Sequence, residues 1–241
     1  MAQQLIKEKD STQLFQRTAE ALFIELEGLS NREHLVLGLC GGRSVVGLLS
    51  TLRGWVVSGS ISPKRSELLK RLQFFMVDER LVPFTDEQSN YGMLKKNLLD
   101  DLVESGVIRS EQLHPFTPLS ELSDYGTEAY LQELNRFGGA FSAVVLGVGE
   151  DGHVAGLFPD HPCLQRTEPL FLSFFESPKP PQERMTATLS LLRTAEVAVL
   201  ILTGGAKRDA WAKFQNDGTE IRECPSVFAK ELSSLIIATD L

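Results

Sequence analysis

Leu35-Val36-Leu37-Gly38-Leu39-Cys40-Gly41-Gly42-Arg43-Ser44-Val45-Val46-Gly47-Leu48-Leu49 reads as a buried strand, a glycine turn and the opening of a helix. A short apolar run without alternation fits a strand covered on both faces, as in a parallel sheet. The same grammar recurs along the chain. Phe74 to Val77 is a strand that ends in Asp78-Glu79-Arg80, and Ser89-Asn90-Tyr91 opens a helix to about Leu102. Ala143 to Leu146 is a strand that ends in Gly147-Val148-Gly149-Glu150-Asp151-Gly152-His153. Val197 to Leu202 is a strand that ends in Thr203-Gly204-Gly205, before a helix carrying Lys207 and Trp211. Helices are also expected from about Ser11 to Glu27, with Ser11 as N-cap, and from about Leu119 to Arg136. Arg184 to Leu189 and Ser234 to Ala238 complete the expected strands. Ser177-Pro178-Lys179-Pro180-Pro181 cannot continue a helix or a central strand, so it is a loop or a lid.

Strands alternating with amphipathic helices predict an α/β fold. The expected architecture is a mostly parallel, Rossmann-like sheet with helices on both faces, built as one domain over residues 1–241. The polar and glycine residues cluster just after strands. In an open parallel sheet those positions share one edge, where ligands bind. Four separated segments are therefore expected to line one pocket.

Composition narrows the function. The chain has 241 residues, of which 42% are hydrophobic, and carries 24 Lys and Arg against 32 Asp and Glu, a net charge of −8. Such a chain is neither disordered nor fibrous. An acidic balance without a basic stripe argues against nucleic acid and anionic membrane as main partners. A small phosphorylated ligand needs only a few local cations. No stretch approaches the roughly 18 apolar residues of a membrane span. The polar start, MAQQLIKEKD, is unlike a secretory signal. Cys40, Cys163 and Cys224 are scattered without CxxC spacing. Reduced thiols in a cytoplasm are expected, with no metal site.

Each cluster has a chemical and a bland reading. Gly41-Gly42-Arg43-Ser44 meets a helix N-terminus, where open N–H groups favour an anion, but an ordinary tight turn has the same pattern. It is neither a Walker motif nor GxGxxG. At the next strand end, Asp78 and Arg80 suit a site, whereas Glu79 suits a structural ion pair. His153 sits on a glycine turn past a buried strand, rigidly based and accessible, as a general base must be. Asp151, two residues earlier, can orient its ring. His34, His114 and His161 read as structural. Lys207 lies in the first turn of its helix, where the dipole disfavours a cation unless an anion binds. Cys40 reads as a small buried residue rather than a reactive thiol.

Four segments carry a resemblance. They are Val77-Asp78-Glu79-Arg80-Leu81-Val82-Pro83 with Ser89-Asn90-Tyr91, Leu146 through Pro159, Pro180 through Thr186, and Thr203-Gly204-Gly205-Ala206-Lys207. The chain resembles the 6-phosphogluconolactonases, in the wider family that includes glucosamine-6-phosphate isomerase. The resemblance implies hydrolysis of 6-phospho-D-glucono-1,5-lactone to 6-phosphogluconate, the second step of the oxidative pentose phosphate pathway. It implies no organic cofactor and no required metal. By position, His153 matches the catalytic base, and Arg184 and Lys207 match phosphate-binding cations beside the glycine loop. Asp78, Arg80, Asn90 and Asp151 match residues of the sugar site. The expected partner is a small sugar phosphate, with the chain a monomer or weak homodimer. The first loop departs from the family's Ser-Gly-Gly-Ser-Thr-Pro: here it is Cys40-Gly41-Gly42-Arg43-Ser44-Val45. Arg43 either supplies a guanidinium for the missing hydroxyl or points to solvent. Isomerase or deaminase relatives typically follow the Gly-Asp-Gly-His region with a Phe-Asn-Glu-Pro type segment. Gly156-Leu157-Phe158-Pro159 stands here instead, which favours the lactonase. A catalytically silent sugar-phosphate sensor is the other alternative; the intact His153 counts against it.

Overall fold

The strand β2 (Leu35–Leu39) is buried at every residue and pairs in parallel with β3 (Leu72–Met76) on one side and β6 (Ala143–Gly147) on the other. A computed structural model describes residues 2–241. Its main sheet has seven strands, all parallel, in the order β1 (Ala2–Lys7), β10 (Ser234–Thr239), β9 (Val197–Leu202), β6, β2, β3, β5 (Leu113–His114). A small antiparallel sheet joins β4 (Asp78–Arg80), β8 (Arg184–Ala187) and β7 (Phe171–Phe174). The α/β class and the mostly parallel sheet are as the sequence implied.

Alternate residues of the central strands face opposite layers. Leu37 and Leu39, with Phe74 and Val145, meet Leu22, Phe23 and Leu26 of α1 (Ser11–Gly28) and Leu48 and Leu49 of α2 (Arg43–Val57). On the other face Phe75 stacks on His114, with centroids 4.3 Å apart, and packs against Tyr130 of the helix Thr127–Asn135. Gly38 is required there: a Cβ would lie 2.7 Å from Val77 and 3.0 Å from Phe141. The strand order reverses between β2 and β6, because the chain leaves β2 toward β3 yet later returns to its other side. That reversal opens a crevice beyond the carboxyl ends of both strands.

Several local expectations change. Asp10, not Ser11, caps α1: its carboxylate accepts from Gln13 N at 2.8 Å. The helix expected from Leu119 begins only at Thr127. Asp124 accepts from Gly126 N and Glu128 N, and Tyr125 and Gly126 take positive φ (57° and 86°), which no continuous helix allows. Asp78–Arg80 is a strand rather than a plain loop, and the strand from Arg184 stops at Ala187, where Thr188 caps a short helix Leu189–Leu192. β1 and β7 had no place in the sequence reading. β1 is an edge strand with only Ile6 buried, so it lacks an apolar run. No helix among the described residues is long and apolar enough to cross a membrane.

Candidate active site

The crevice beyond β2 and β6 holds a cavity of about 700 Å³, within the usual range for small-molecule sites. Its wall includes Gly41, Gly42, Arg43 and Ser44 from the first turn, and Asp78, Arg80 and Asn90 from the second. His153, Arg184 and Lys207 complete the set. Asp151 stands behind His153 rather than in the wall. The segments that the sequence singled out are thus brought together at one rim.

One end of the cavity has features that favour an anion. Gly42, with φ 95°, turns the chain into α2, and no side chain caps that helix. Its first N–H groups are therefore left without side-chain partners, at the positive end of the helix dipole. Lys207 lies in the single 3-10 turn Gly205–Lys207, just ahead of the helix Arg208–Gln215, rather than within it. Its Nζ donates to Ser44 Oγ. Burial pushes its ammonium down to about 8, so the free protein holds this cation at a cost that an anion would offset. Arg43 is exposed beside it. Cys40 beneath the turn is inert: its Sγ accepts from Gly147 N at 3.0 Å. Burial, then the charge of Asp78, pushes its thiol up to about 12.

The second turn supplies unpaired polar atoms. Glu79 faces inward, and its carboxylate accepts from Arg80 N, Asn90 N, Tyr91 N and Ser89 Oγ at 2.7–3.0 Å. It locks the start of the helix Asn90–Leu94 against β4, even though burial pushes its carboxyl up. Asn90 is thereby fixed with its Nδ2 on Asp78 Oδ2 at 2.9 Å. Gly41 must be glycine, since a Cβ would fall 1.9 Å from Asn90 Oδ1. Arg80 donates from Nη1 to Gln88 O. Among the described residues, two buried side-chain polar atoms lack any partner: Asp78 Oδ1 and Arg80 Nε. Both belong to cavity residues. Unsatisfied buried groups are rare and costly.

The third turn carries the candidate base, His153. Asp151 Oδ1 accepts from His153 Nδ1 at 2.5 Å and from His153 N at 3.2 Å. A carboxylate on Nδ1 selects the tautomer with the lone pair on Nε2. Burial opposes ionisation of Asp151, but the His153 hydrogen bond and charge, with Lys179 beyond, hold its carboxyl well below the usual carboxylate range. The ring packs on Phe158 with centroids 4.6 Å apart. Gly149 leaves it room: a Cβ there would sit 2.0 Å from Nδ1.

Arg184, expected as a phosphate-binding cation, lines the cavity but is also engaged elsewhere. It is 5% exposed, and its Nε and Nη2 donate to Ser177 Oγ and to the carbonyls of Lys179, Pro180 and Pro181. Two of its three nitrogens thus hold the proline-rich loop, a demand that nothing in a strand pattern reveals. Lys179 and Glu150 also line the cavity and were missed. Lys179 had a signal, as the one cation within a proline run beside a strand. Among the described residues no three His, Cys, Asp or Glu side chains gather as a metal ion would need.

The sequence model described as glucosamine-6-phosphate isomerases/6-phosphogluconolactonase matches residues 9–236. A 6-phosphogluconolactonase of Borreliella burgdorferi is 34% identical over 206 residues, 85% of this chain and 83% of that protein. A human 6-phosphogluconolactonase is 36% identical over 196 residues, 78% of this chain and 71% of its own. Among solved structures, a 6-phosphogluconolactonase from Thermotoga maritima superposes with a TM-score of 0.80 at 21% identity, covering 98% of this chain and 99% of its own. A monomeric glucosamine-6-phosphate deaminase gives 0.76 at 17% identity, over 98% of this chain and 96% of its own. Fold similarity alone therefore does not separate the two chemistries.

Proposed function

The chain belongs to the family of glucosamine-6-phosphate isomerases and 6-phosphogluconolactonases, and on that premise we propose that it hydrolyses 6-phospho-D-glucono-1,5-lactone to 6-phosphogluconate, in the oxidative pentose phosphate pathway. The observation that carries this reading is the oriented Asp151–His153 pair in the same cavity as the uncapped α2 start and Lys207. The relatives at 34–36% identity support the lactonase over the isomerase. So does Gly156-Leu157-Phe158-Pro159 after the histidine.

A lactone is an activated ester, so water can attack it without a covalent enzyme intermediate. His153 Nε2 takes a proton from water poised at the lactone carbonyl carbon. The new C–O bond leaves a tetrahedral oxyanion, which needs donors aimed at it. Arg80 and backbone N–H groups of the glycine turns are the candidate donors for it. Collapse of the intermediate breaks the bond to the ring oxygen, and the imidazolium returns its proton to that oxygen. Asp78 and Asn90 hold sugar hydroxyls. The phosphate lies at the start of α2 with Ser44, Lys207 and the remaining nitrogen of Arg184, and its binding energy positions the distant carbonyl. The whole of residues 1–241 acts as one catalytic domain.

Freshly prepared 6-phosphogluconolactone tests the reading. Hydrolysis is expected to exceed spontaneous ring opening, with no fructose-6-phosphate released from glucosamine-6-phosphate. The reverse pattern would assign Asp78, with its free Oδ1, as the carbon base of an isomerase.

Arg43 answers for the altered first loop. It is exposed at the start of α2, near enough to Lys207 for its charge to depress that ammonium. Its guanidinium takes the place of the hydroxyl in the family's Ser-Gly-Gly-Ser-Thr-Pro pattern. Arg43→Ser is expected to raise KM about tenfold, the worth of one charge-assisted hydrogen bond. Unchanged or improved affinity in steady-state kinetics would leave Arg43 as a solvated side chain.

A further inference from the structure

We propose that Lys179 is a positioning residue for the Asp151–His153 pair, a loop cation that fixes the far oxygen of the carboxylate and limits how strongly the pair retains a proton. The inference rests on His153 acting as the base in the function proposed above.

The carboxylate of Asp151 is divided between two elements. Oδ1 takes both donors of His153, its ring Nδ1 and its backbone N–H. Oδ2 meets Lys179 Nζ at 3.2 Å. His153 holds only Oδ1, so without a partner on Oδ2 the plane of the carboxylate is fixed at one oxygen alone. Lys179, delivered by the proline-rich loop, fixes the second oxygen.

A cation from a loop can do this only if the loop is rigid, and this one is pinned from within. Ser177 Oγ donates to Lys179 O at 2.8 Å, and Lys179 N donates back to Ser177 Oγ at 3.3 Å. The Arg184 guanidinium binds the carbonyls of Lys179, Pro180 and Pro181 at 3.1–3.2 Å. That guanidinium also lies 5.6 Å from the ring centre of Phe158, the same ring on which His153 packs. Arg184 thus supports the imidazole through Phe158 and holds the loop that delivers Lys179. This accounts for a buried arginine whose donors go to carbonyls and a hydroxyl, with no carboxylate in ion-pair distance among the described residues.

The electrostatic consequence has a definite sign. The charged and titratable groups around the pair are Lys179 from the proline-rich loop, Glu150 from the histidine's own turn and Arg184 from β8. His161 lies across Phe158, and the buried Cys224 thiol sits beneath Gly152. Among the described residues, Lys179 is the one cation besides the His153 ring itself in ion-pair contact with Asp151. It draws on the same carboxylate that would stabilise an imidazolium. Removing it leaves Asp151 wholly to His153, which favours the protonated ring. The base would then be lost at a higher pH than before.

The test is the titration of the His153 ring in the free protein, followed by NMR, beside the pH profile of lactone hydrolysis. For Lys179→Met, the His153 midpoint is expected to rise by about half a pH unit or more. The acid limb of kcat/KM should rise with it, kcat should fall severalfold and KM should hold within about twofold. Lys179→Arg should restore the midpoint. A midpoint that stays or falls overturns the proposal, and so does a rise in KM alone, which would make Lys179 a substrate ligand. The NMR arm needs no substrate, so a wrong lactonase assignment would show in the assay while leaving the titration readable.

Discussion

His153→Asn is expected to lower turnover of 6-phosphogluconolactone by about 10²–10⁴, the range usual for a lost general base, with KM nearly unchanged. The split follows from the geometry. Asparagine fills part of the same space against Phe158 and can still donate to Asp151, so the cavity keeps its shape. It cannot take a proton from water at neutral pH. The proposed phosphate end of the cavity, at the start of α2, is untouched, so binding should persist. Assays must subtract spontaneous ring opening, which sets the floor that the variant approaches. Near-normal turnover would remove His153 from the mechanism and leave water activation to another group.

Lys207→Met is expected to act on the other end of the substrate. KM should rise by about 10- to 100-fold, the worth of a charge-assisted contact to phosphate in a partly buried site, while kcat at saturation falls less. The pH dependence has a definite direction. In the folded protein without ligand the Lys207 ammonium is lowered to about 8 by burial. It is therefore charged at pH 7 and loses its charge as pH rises through about 8. Affinity for the phosphorylated lactone should weaken over that range in the native chain, and the methionine variant should lack this alkaline limb. Stability should move oppositely to binding. A cation whose pKa is lower folded than unfolded opposes folding below about pH 8, and the opposition fades as pH rises toward the unfolded value. At pH 7 the methionine variant should melt no earlier than the native chain, and later if Ser44 finds water in place of Nζ. An unchanged KM would place the phosphate elsewhere in the cavity.

What could be read from the sequence divides along physical lines. β2, β6 and β9 are buried on both faces, so their apolar runs are unbroken and bounded by glycine. Their carboxyl ends then predict one rim, because parallel strands must place those ends together. That topological step brought residues as distant as Gly41 and Lys207 to one cavity. β1 escaped because an edge strand with one buried residue leaves no hydrophobic pattern. The start of the helix at Thr127 escaped because Asp124 competes for the backbone N–H groups that would have extended it. β4 escaped because it pairs with Arg184–Thr186, a contact that spans the chain, whereas β8 itself was expected and only its end differs. The double engagement of Arg184 and the reach of Lys179 to Asp151 depend on how the proline-rich loop folds over β8. No local pattern encodes that.

The account rests on one molecule being gripped at both ends, its phosphate at the start of α2 and its carbonyl at His153. The most direct measurement compares kcat/KM for 6-phosphogluconolactone with that for unphosphorylated glucono-1,5-lactone, in the native chain and in Lys207→Met, each above its own spontaneous rate. The native chain should prefer the phosphorylated lactone by about 10²-fold or more, and the variant should lose at least about tenfold of that preference. Equal efficiency on both lactones in the native chain would contradict the account.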